Sequence, residues 1–398
     1  MSGMEILIDE IDGRLHAAVV SKGKLHDLYV DTKHMGESWS SLYLGKVTKI
    51  DKKLDAAIVD LGNGLSGFLP AKHVHQPGGY SSEARSGIAE KLKTGDMLLV
   101  QVKAEAKKAS QHENHKVPRL TTRIYIIGHH LVYCPLASHV TMSRQIERPE
   151  VLSIGERINA KGGWILQEHA VEAEPDVLEI EARQLAAFWQ KIMGAKDASD
   201  GRPRLLKSGI NAIYRVMSDY GAEGIDHIYC GTKKVFDMMT QWCVTFDPPL
   251  ANSKRLRLFR PERTAQQLFD MYDVSTDIET LGAPTVHLEG GGSLIIEHTH
   301  ALTTIDVNQG NASSNVEANE AAALEAARQV RLRNLNGAIL IDFIGMEERW
   351  RVQKLLDSLT DAFKGDPAQP QVHGFTRLGI AEVTRKRRTG TYLERISG

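Results

Sequence analysis

LTTIDVNQG, residues 302–310, ends an apolar run with an acid and an amide two positions apart. AILIDF, residues 338–343, is a second apolar run with an acid near its end. The stretch between them, 316–335, is rich in Ala, Leu, Glu and Arg, which favour helix, and Asn336-Gly337 follows as a stop signal. The segment therefore predicts a β-α-β unit with parallel strands and a right-handed crossover.

The acids of this unit are expected at one edge of the sheet. Asp306 and Asp342 stand at the carboxyl ends of the two predicted strands, where α/β proteins usually place their sites. Asn308, two positions further, shares the side of Asp306 if the strand continues. Mg²⁺ suits such oxygen ligands, whereas zinc prefers His and Cys. We predict a magnesium site, although each acid taken alone is also explained as a strand cap or a partner of a nearby loop.

Composition sets broad limits. A chain of 398 residues predicts two or more domains, and 42% apolar with 25% charged residues is typical of a globular protein. Neither a run of 18 apolar residues nor a basic, apolar leader occurs, so no membrane span or secretory signal is predicted. The three scattered cysteines argue against a disulfide framework or a structural zinc, and fit a reducing cytoplasm.

The net charge of −1 gives no sign of nucleic acid, but basic residues cluster locally. One cluster includes Arg377 and residues 385–388, and another is Arg328, Arg331 and Arg333 in the predicted helix. Such clusters can hold phosphates even on a neutral protein. A solvated face explains each of them equally well.

A small barrel is predicted near the N-terminus. The first 36 residues alternate as short antiparallel strands, and further short strands follow at 42–50, 56–61, 66–69 and 97–104 without a long helix. Gly62, Gly64 and Gly67 match the dinucleotide fingerprint, but Phe68-Leu69-Pro70 stands where that motif needs a helix, so we reject it. The stretch 199–205 is the best candidate linker.

Three ordered stretches resemble the catalytic region of the ribonuclease E/G family: 302–310, 327–346 (ARQVRLRNLNGAILIDFIGM) and 374–387 (GFTRLGIAEVTRKR). Upstream, 42–70 resembles the S1-type RNA-binding barrel of that family. The resemblance implies an α+β multidomain protein, a Mg²⁺-dependent endoribonuclease acting on single-stranded RNA. Its implied parts are an RNase H-like part (1–38 plus 204–282), an inserted S1-type OB barrel (39–121), a 5′-sensor region (122–203), a DNase I-like α/β catalytic domain (283–388) and a tail (389–398).

The resemblance also assigns roles. Asp306 and Asp342 would hold Mg²⁺, with Mn²⁺ as a substitute, and Asn308 would orient one of them or the scissile phosphate. Metal-assisted hydrolysis would leave a 5′-phosphate and a 3′-hydroxyl. Phe68 would stack on a base, with barrel core as its alternative explanation. Other residues implied in RNA binding are Lys116, Arg144, Arg377, Arg385 and Arg387.

Departures from the family pattern are informative. Ile58 replaces a second aromatic of the barrel, Gly345 replaces an acid after Asp342, and His300 stands where the family commonly has Glu. In the 5′-sensor, the positions of an Arg-Thr pair and of another arginine hold Gln167, Glu168 and Gln369, and Gln145 replaces the arginine beside Arg144. Because guanidinium groups carry phosphate recognition, we predict weak or absent 5′-monophosphate preference.

No cysteine pair of the kind that shares zinc between subunits follows the catalytic region, so zinc is not expected and any homo-oligomer would form without it. Our prediction is a cytoplasmic endoribonuclease of RNA processing, including rRNA processing. The alternative is a non-catalytic RNA-binding protein on the same scaffold, and a weaker third is cleavage of DNA, which depends on whether a 2′-hydroxyl is required. Loss of Mg²⁺ affinity in Asp306→Asn would favour the enzyme.

Overall fold

The computed structural model describes residues 3–33, 36, 38–75, 87–106, 117–137, 140–142, 162–171, 173–198, 200–221, 224–260, 267–299 and 301–397, with side chains throughout except at 140–142 and 168–169. Across these ranges, strands β1–β21 form four sheets of five, four, six and six strands. The mixed α+β class predicted from the sequence is confirmed. No helix within this part of the chain is long and apolar enough to cross a membrane.

The first sheet begins with two tight hairpins. Asp12-Gly13 and Lys22-Gly23 make the turns, and all four residues have positive φ, as predicted for such turns. The strand order is β15-β14-β1-β2-β3, with β14 and β15 parallel to β1. The strands are β1 (Met4–Ile11), β2 (Arg14–Ser21), β3 (Lys24–Val30), β14 (Ile225–Cys230) and β15 (Leu256–Leu258).

The second sheet closes into the predicted barrel. Five strands pair in the order β4-β5-β6-β8-β7, and β7 pairs again with β4. They are β4 (Leu42–Asp51), β5 (Ala56–Gly62), β6 (Leu65–Pro70), β7 (Met97–Ala104) and β8 (Arg119–Thr121). The predicted linker 199–205 needs correction, because its end belongs to a strand, β13 (Arg204–Lys207), that pairs with β4.

The third sheet is small and packs under a long helix. Its order is β11-β12-β10-β9, and the helix Pro175–Asp197 covers it through Leu178, Ala182 and Leu185. The buried carboxylate of Glu181 accepts from the backbone N–H groups of residues 129–131 and fixes the turn between β9 and β10. The strands are β9 (Ile126–Ile127), β10 (Leu131–Cys134), β11 (Val140–Met142) and β12 (Gly163–Leu166).

The fourth sheet contains the predicted β-α-β unit. Strands β18 and β19 are parallel and are joined by the crossover helix Asn315–Leu332. That helix and the helix Arg349–Ala362 pack on one face of the sheet, around Ile305, Ile339 and Ile341. The order β16-β17-β18-β19-β21-β20 comprises β16 (Thr285–His287), β17 (Ser293–His298), β18 (Leu302–Asn308), β19 (Gly337–Asp342), β20 (Gln371–Phe375) and β21 (Ile380–Arg385).

The remaining helices cover the first sheet, pack against the barrel or close loops. Ala212–Tyr220 and Lys233–Phe246 bury Val216, Met239 and Trp242 in one core with the first sheet. Short helices occur at Ile88–Lys91, Pro248–Ala251, Leu268–Met271, Val274–Thr280 and Tyr392–Ile396, with 3-10 turns at Ala71–His73 and Glu168–Val171.

Buried arginines join these units. Arg395 donates to the carbonyl of Val30 at 2.6 Å and to the Glu105 carboxylate at 2.5 Å, so one side chain links the first sheet to the end of β7. Arg331 of the crossover helix donates from Nε to the carbonyl of His26 at 2.9 Å, and Arg328 likewise to that of Leu25 at 2.7 Å. The helix arginines therefore hold the structure together, which argues against the phosphate-binding alternative considered for them.

Candidate functional site

Asp306 and Asp342 are direct partners in the pairing of β18 with β19. Along β18 the buried residues alternate with accessible ones, so Ile305 and Val307 face the helices while Asp306 and Asn308 face the opposite side. Asp342 follows the same rule after the buried Ile341. Because neighbouring strands lie about 4.8 Å apart, the two exposed carboxylates are brought together at one sheet edge, as the sequence predicted.

Asn308 positions one of these acids. Its amide nitrogen Nδ2 donates to Oδ2 of Asp306 at 2.9 Å. The bond holds the carboxylate in one orientation, and the amide oxygen of Asn308 is the remaining acceptor of that side chain. The three predicted catalytic residues are thus adjacent on one face.

The loop after β19 is held by a residue that the sequence analysis missed. Asn319, fully buried in the crossover helix, accepts from the N–H of Ile344 at 3.0 Å and donates to its carbonyl at 2.8 Å. This paired contact fixes the chain two residues beyond Asp342. An asparagine inside the Ala-rich stretch VEANEAAAL was the available signal, because such a residue is unfavourable in a helix unless it bonds elsewhere.

The donor set fits a hard divalent cation. Two carboxylates and an amide oxygen are the ligands that Mg²⁺ accepts, with waters or substrate oxygens completing the set. Within the described residues no group of three or more His, Cys, Asp or Glu side chains could hold a metal by itself. An ion at this place would therefore depend on the aspartate pair together with non-protein ligands.

Two neighbouring positions bear on this site. A Cβ built at Gly345 would meet nothing within 4 Å, so the loop has room for the acid that the family pattern would have there. Glu382, not singled out from the sequence, projects from β21 on the same face as the aspartates, opposite Leu340. His300 lies outside the described residues.

The barrel presents Phe68 outward. Its neighbour Leu69 is fully buried, and Phe68 itself is half-buried and lines a cavity of 970 Å³ between the barrel, the third sheet and residues 386–388. This orientation argues against barrel core as the explanation for Phe68. Ile58 pairs with Phe68 across β5 and β6 and also faces outward.

Gln167 borders the same cavity, but its amide is already used. Nε2 donates to the carbonyls of Gly128 and His129, both at 3.0 Å, and Oε1 accepts from the Ser218 hydroxyl at 3.4 Å. Gln369 stands in the left-handed region with φ 52°, in the turn after Asp366. The side chain of Glu168 lies outside the described residues.

The predicted RNA-binding cations differ in their exposure and in their bonding partners. Arg377 is exposed in the turn before Ile380, the residue that pairs with Asp342, so it lies at the same sheet edge as the acids. Arg387 lines the cavity and bonds Glu394 at 3.0 Å. Arg385 is buried and forms two bonds to the Asp366 carboxylate, at 2.8 and 3.1 Å, which argues against the predicted RNA contact. Lys116, Arg144 and Gln145 lie outside the described residues.

Comparison with known proteins adds to this geometry. A sequence profile of the Ribonuclease E/G family matches residues 125–388, and one of the S1 RNA binding domain matches residues 41–111. Ribonuclease G of Haemophilus influenzae is 31% identical over 97% of this chain and 80% of its own length. Ribonuclease G of Escherichia coli K12 is 29% identical over 96% and 80%, and Ribonuclease E of the same strain is 31% identical over 94% of this chain and 36% of its own length.

Proposed function

The chain belongs to the Ribonuclease E/G family and is an endoribonuclease, and from this premise we propose that it cleaves single-stranded RNA by Mg²⁺-dependent hydrolysis. The observation that carries the proposal is the pairing of Asp306 with Asp342, with Asn308 bonded to Asp306. Two like charges side by side on neighbouring strands are unfavourable without a cation. The arrangement is therefore better explained by metal binding than by strand capping.

In this mechanism the chain supplies ligands and orientation. Asp306 and Asp342 would hold the ion, and the Asn308 amide would keep the Asp306 carboxylate in a fixed orientation. When bound there, Mg²⁺ would supply polarisation of the phosphoryl oxygen and activation of a water for in-line attack, chemistry that would leave a 5′-phosphate and a 3′-hydroxyl. Arg377, exposed at the same sheet edge, is placed to hold an RNA phosphate near the acids.

We further propose that this enzyme has little preference for a 5′-monophosphate. Both amide hydrogens of Gln167 are donated to backbone carbonyls, so this side chain has none left for a terminal phosphate. Gln369 replaces a second guanidinium of the family pattern. A terminal phosphate would lose the bidentate contacts that usually recognise it.

The architecture is proposed at the predicted boundaries. An RNase H-like part (1–38 plus 204–282) is supported by a sheet of three antiparallel strands with β14 and β15 parallel to β1. The barrel (39–121), sensor-like region (122–203) and DNase I-like catalytic domain (283–388) correspond to the other three sheets. The three cysteines are free and buried, which supports a reducing cytoplasmic location, and any homo-oligomer is proposed without a zinc link.

The second candidate is a non-catalytic RNA-binding protein, favoured by Gly345 in place of an acid. Incubation of a labelled single-stranded RNA with Mg²⁺ or EDTA separates the two candidates. We expect internal cuts that require both Mg²⁺ and the aspartates, and none from Asp306→Asn/Asp342→Asn. The control Asp357→Asn/Asp361→Asn removes the same charge from the exposed side of a helix and should cut normally. RNA binding without cleavage by the unaltered protein would establish the second candidate.

A further inference from the structure

Three neighbouring barrel strands align an aromatic and two cations on the outer surface. Phe68 of β6 pairs with Arg119 of β8, and the Phe68 N–H donates to the carbonyl of Pro118 at 2.9 Å. Their successors Leu69 and Leu120 are fully buried, so Phe68 and Arg119 both point out of the barrel. An aromatic ring and a guanidinium are therefore direct neighbours on this face.

Lys103 extends the row onto β7. It lies in an irregularity where the pairing with β8 shifts between Val102 and Ala104, and Ala104 is the partner of Arg119. Val102 is buried, so Lys103 is turned outward beside Arg119. Its ammonium group lies 3.2 Å from Nε2 of His73.

The surroundings of Lys103 are uniformly cationic. Burial, followed by the charges of Arg123, Arg119 and Lys72, lowers the pKa of Lys103. Burial, followed by the charges of Lys103 and Lys72, lowers the pKa of His73 to about 4. His73 is thus neutral near pH 7, and its Nε2 accepts from Lys103 without neutralising it. The row carries a concentrated positive charge, which favours an anion.

The cavity beside this row offers room and apolar surface. Its 970 Å³ is lined by Trp39, Phe68 and Tyr125 together with Lys103 and Arg119, and pockets of about 300–1,000 Å³ commonly hold small organic ligands. Its two acids are engaged elsewhere. Glu105 accepts from Arg395 and from the N–H groups of residues 39 and 390, and Asp219 accepts from Tyr29 and Arg388.

We propose that Lys103 and Arg119 form a phosphate subsite for single-stranded RNA at this cavity, next to the base that stacks on Phe68. The inference rests on the proposed RNA substrate and adds two specific cations to it. Ile58 on the other side of Phe68 provides no aromatic ring. We therefore expect this barrel to hold RNA through a phosphate contact, where the family pattern would stack a second base.

The test is RNA binding in EDTA, where cleavage does not interfere. A short fluorescent oligoribonucleotide is titrated at several salt concentrations with the unaltered protein and with Lys103→Gln/Arg119→Gln. Because one single-stranded phosphate contributes about 0.7 to the slope of log affinity against log salt, we expect that slope to fall by about 0.7. At low salt, loss of charge-assisted bonds should weaken binding about tenfold or more.

Two controls define the result. Lys191→Gln/Lys364→Gln removes the same charge from an exposed helix position and an exposed turn position away from the barrel, and should leave the slope unchanged. Lys103→Arg/Arg119→Lys keeps the charges and should retain most of the affinity and the unaltered slope. Equal slopes and affinities for Lys103→Gln/Arg119→Gln and for Lys191→Gln/Lys364→Gln would overturn the subsite. Inorganic phosphate should displace RNA beyond the effect of ionic strength from the unaltered protein but not from the Gln variant, because free phosphate competes for the same two cations.

The readout is independent of catalysis. A protein that binds RNA with the expected salt dependence but never cuts it would contradict the proposed hydrolysis and leave the subsite standing. If the unaltered protein cuts RNA with Mg²⁺ but the Gln variant binds RNA as the unaltered protein does, the subsite is contradicted and the proposed hydrolysis stands.

Discussion

Asp306 and Asp342 face one another across two parallel strands, on the side of the sheet that no buried hydrophobic residue of those strands occupies. The pairing places two like charges side by side, and the Asn308 amide is bonded to the carboxylate of Asp306. Activity and stability should therefore respond in opposite directions when one acid is neutralised.

Asp306→Asn should reduce cleavage at least 100-fold, because one of the two ionic ligands of the metal is lost. Without metal, the same change should leave the free energy of unfolding unchanged or raise it by up to about 1 kcal/mol, because a like-charge pair across strands is relieved. RNA cleavage assays and thermal unfolding in EDTA measure the two effects. Asp357→Asn is the control, and normal cleavage by Asp306→Asn would remove Asp306 from the proposed site.

Asn308→Ala should weaken Mg²⁺ affinity rather than abolish cleavage. The Asp306 carboxylate loses the 2.9 Å bond that orients it, and loss of an orienting partner typically costs about 10–100-fold in metal affinity. Cleavage as a function of Mg²⁺ concentration should show a rightward shift with partial recovery at saturation. An unchanged Mg²⁺ titration would mean that Asn308 does not orient the metal ligand.

Substrates with a 5′-monophosphate and a 5′-triphosphate should be cleaved at equal rates, because Gln167 has committed its amide to the carbonyls of Gly128 and His129. Gln167→Ala should destabilise the fold by about 1–3 kcal/mol by leaving those acceptors unpaired, while the rate ratio stays at one. Gln353→Ala, on an exposed helix face, is the stability control. A large advantage for the monophosphate would contradict the degenerate sensor.

Asp27 should make stability depend on pH. Its carboxylate accepts from the hydroxyl of Tyr220 at 2.9 Å, and burial raises its pKa to about 6. The folded state favours the neutral form of Asp27. The contribution of Asp27 to the free energy of unfolding is therefore fully present below the unfolded pKa of about 3.9 and is lost as pH rises through about 6.

Asp27→Asn, which imitates the neutral form, should therefore gain stability relative to the unaltered protein between about pH 4 and pH 7, and the gain should then level off. Urea unfolding at a series of pH values measures the difference. Asp12→Asn, in an exposed turn, is the matched control for the loss of one carboxylate. A difference that does not vary with pH would show that the carboxyl of Asp27 is not perturbed in this way.

The sequence predicted features that depend on neighbours along the chain. Turn residues such as Asp12-Gly13, the strand alternation and the crossover between Asp306 and Asp342 all follow from local pattern. Placement of the two acids was predictable because parallel strands bring equivalent ends together.

Features that depend on distant partners were not predictable. Arg385 and Arg331 belong to stretches that read as basic surface clusters. In the fold both are buried, and they bond to Asp366 and to the His26 carbonyl. The row of Phe68, Arg119 and Lys103 depends on the register of three strands from separate parts of the chain. No periodicity in the sequence specifies which strands close a barrel.

Glu105 and Arg395, which meet at 2.5 Å, are 290 positions apart. During synthesis the strands of the barrel leave the ribosome long before Arg395 is translated. The bond between Glu105 and Arg395 therefore cannot form until Arg395 is translated, and it is a late assembly step. Contacts of such long sequence separation form slowly, so this bond forms after the local pairing of the barrel strands.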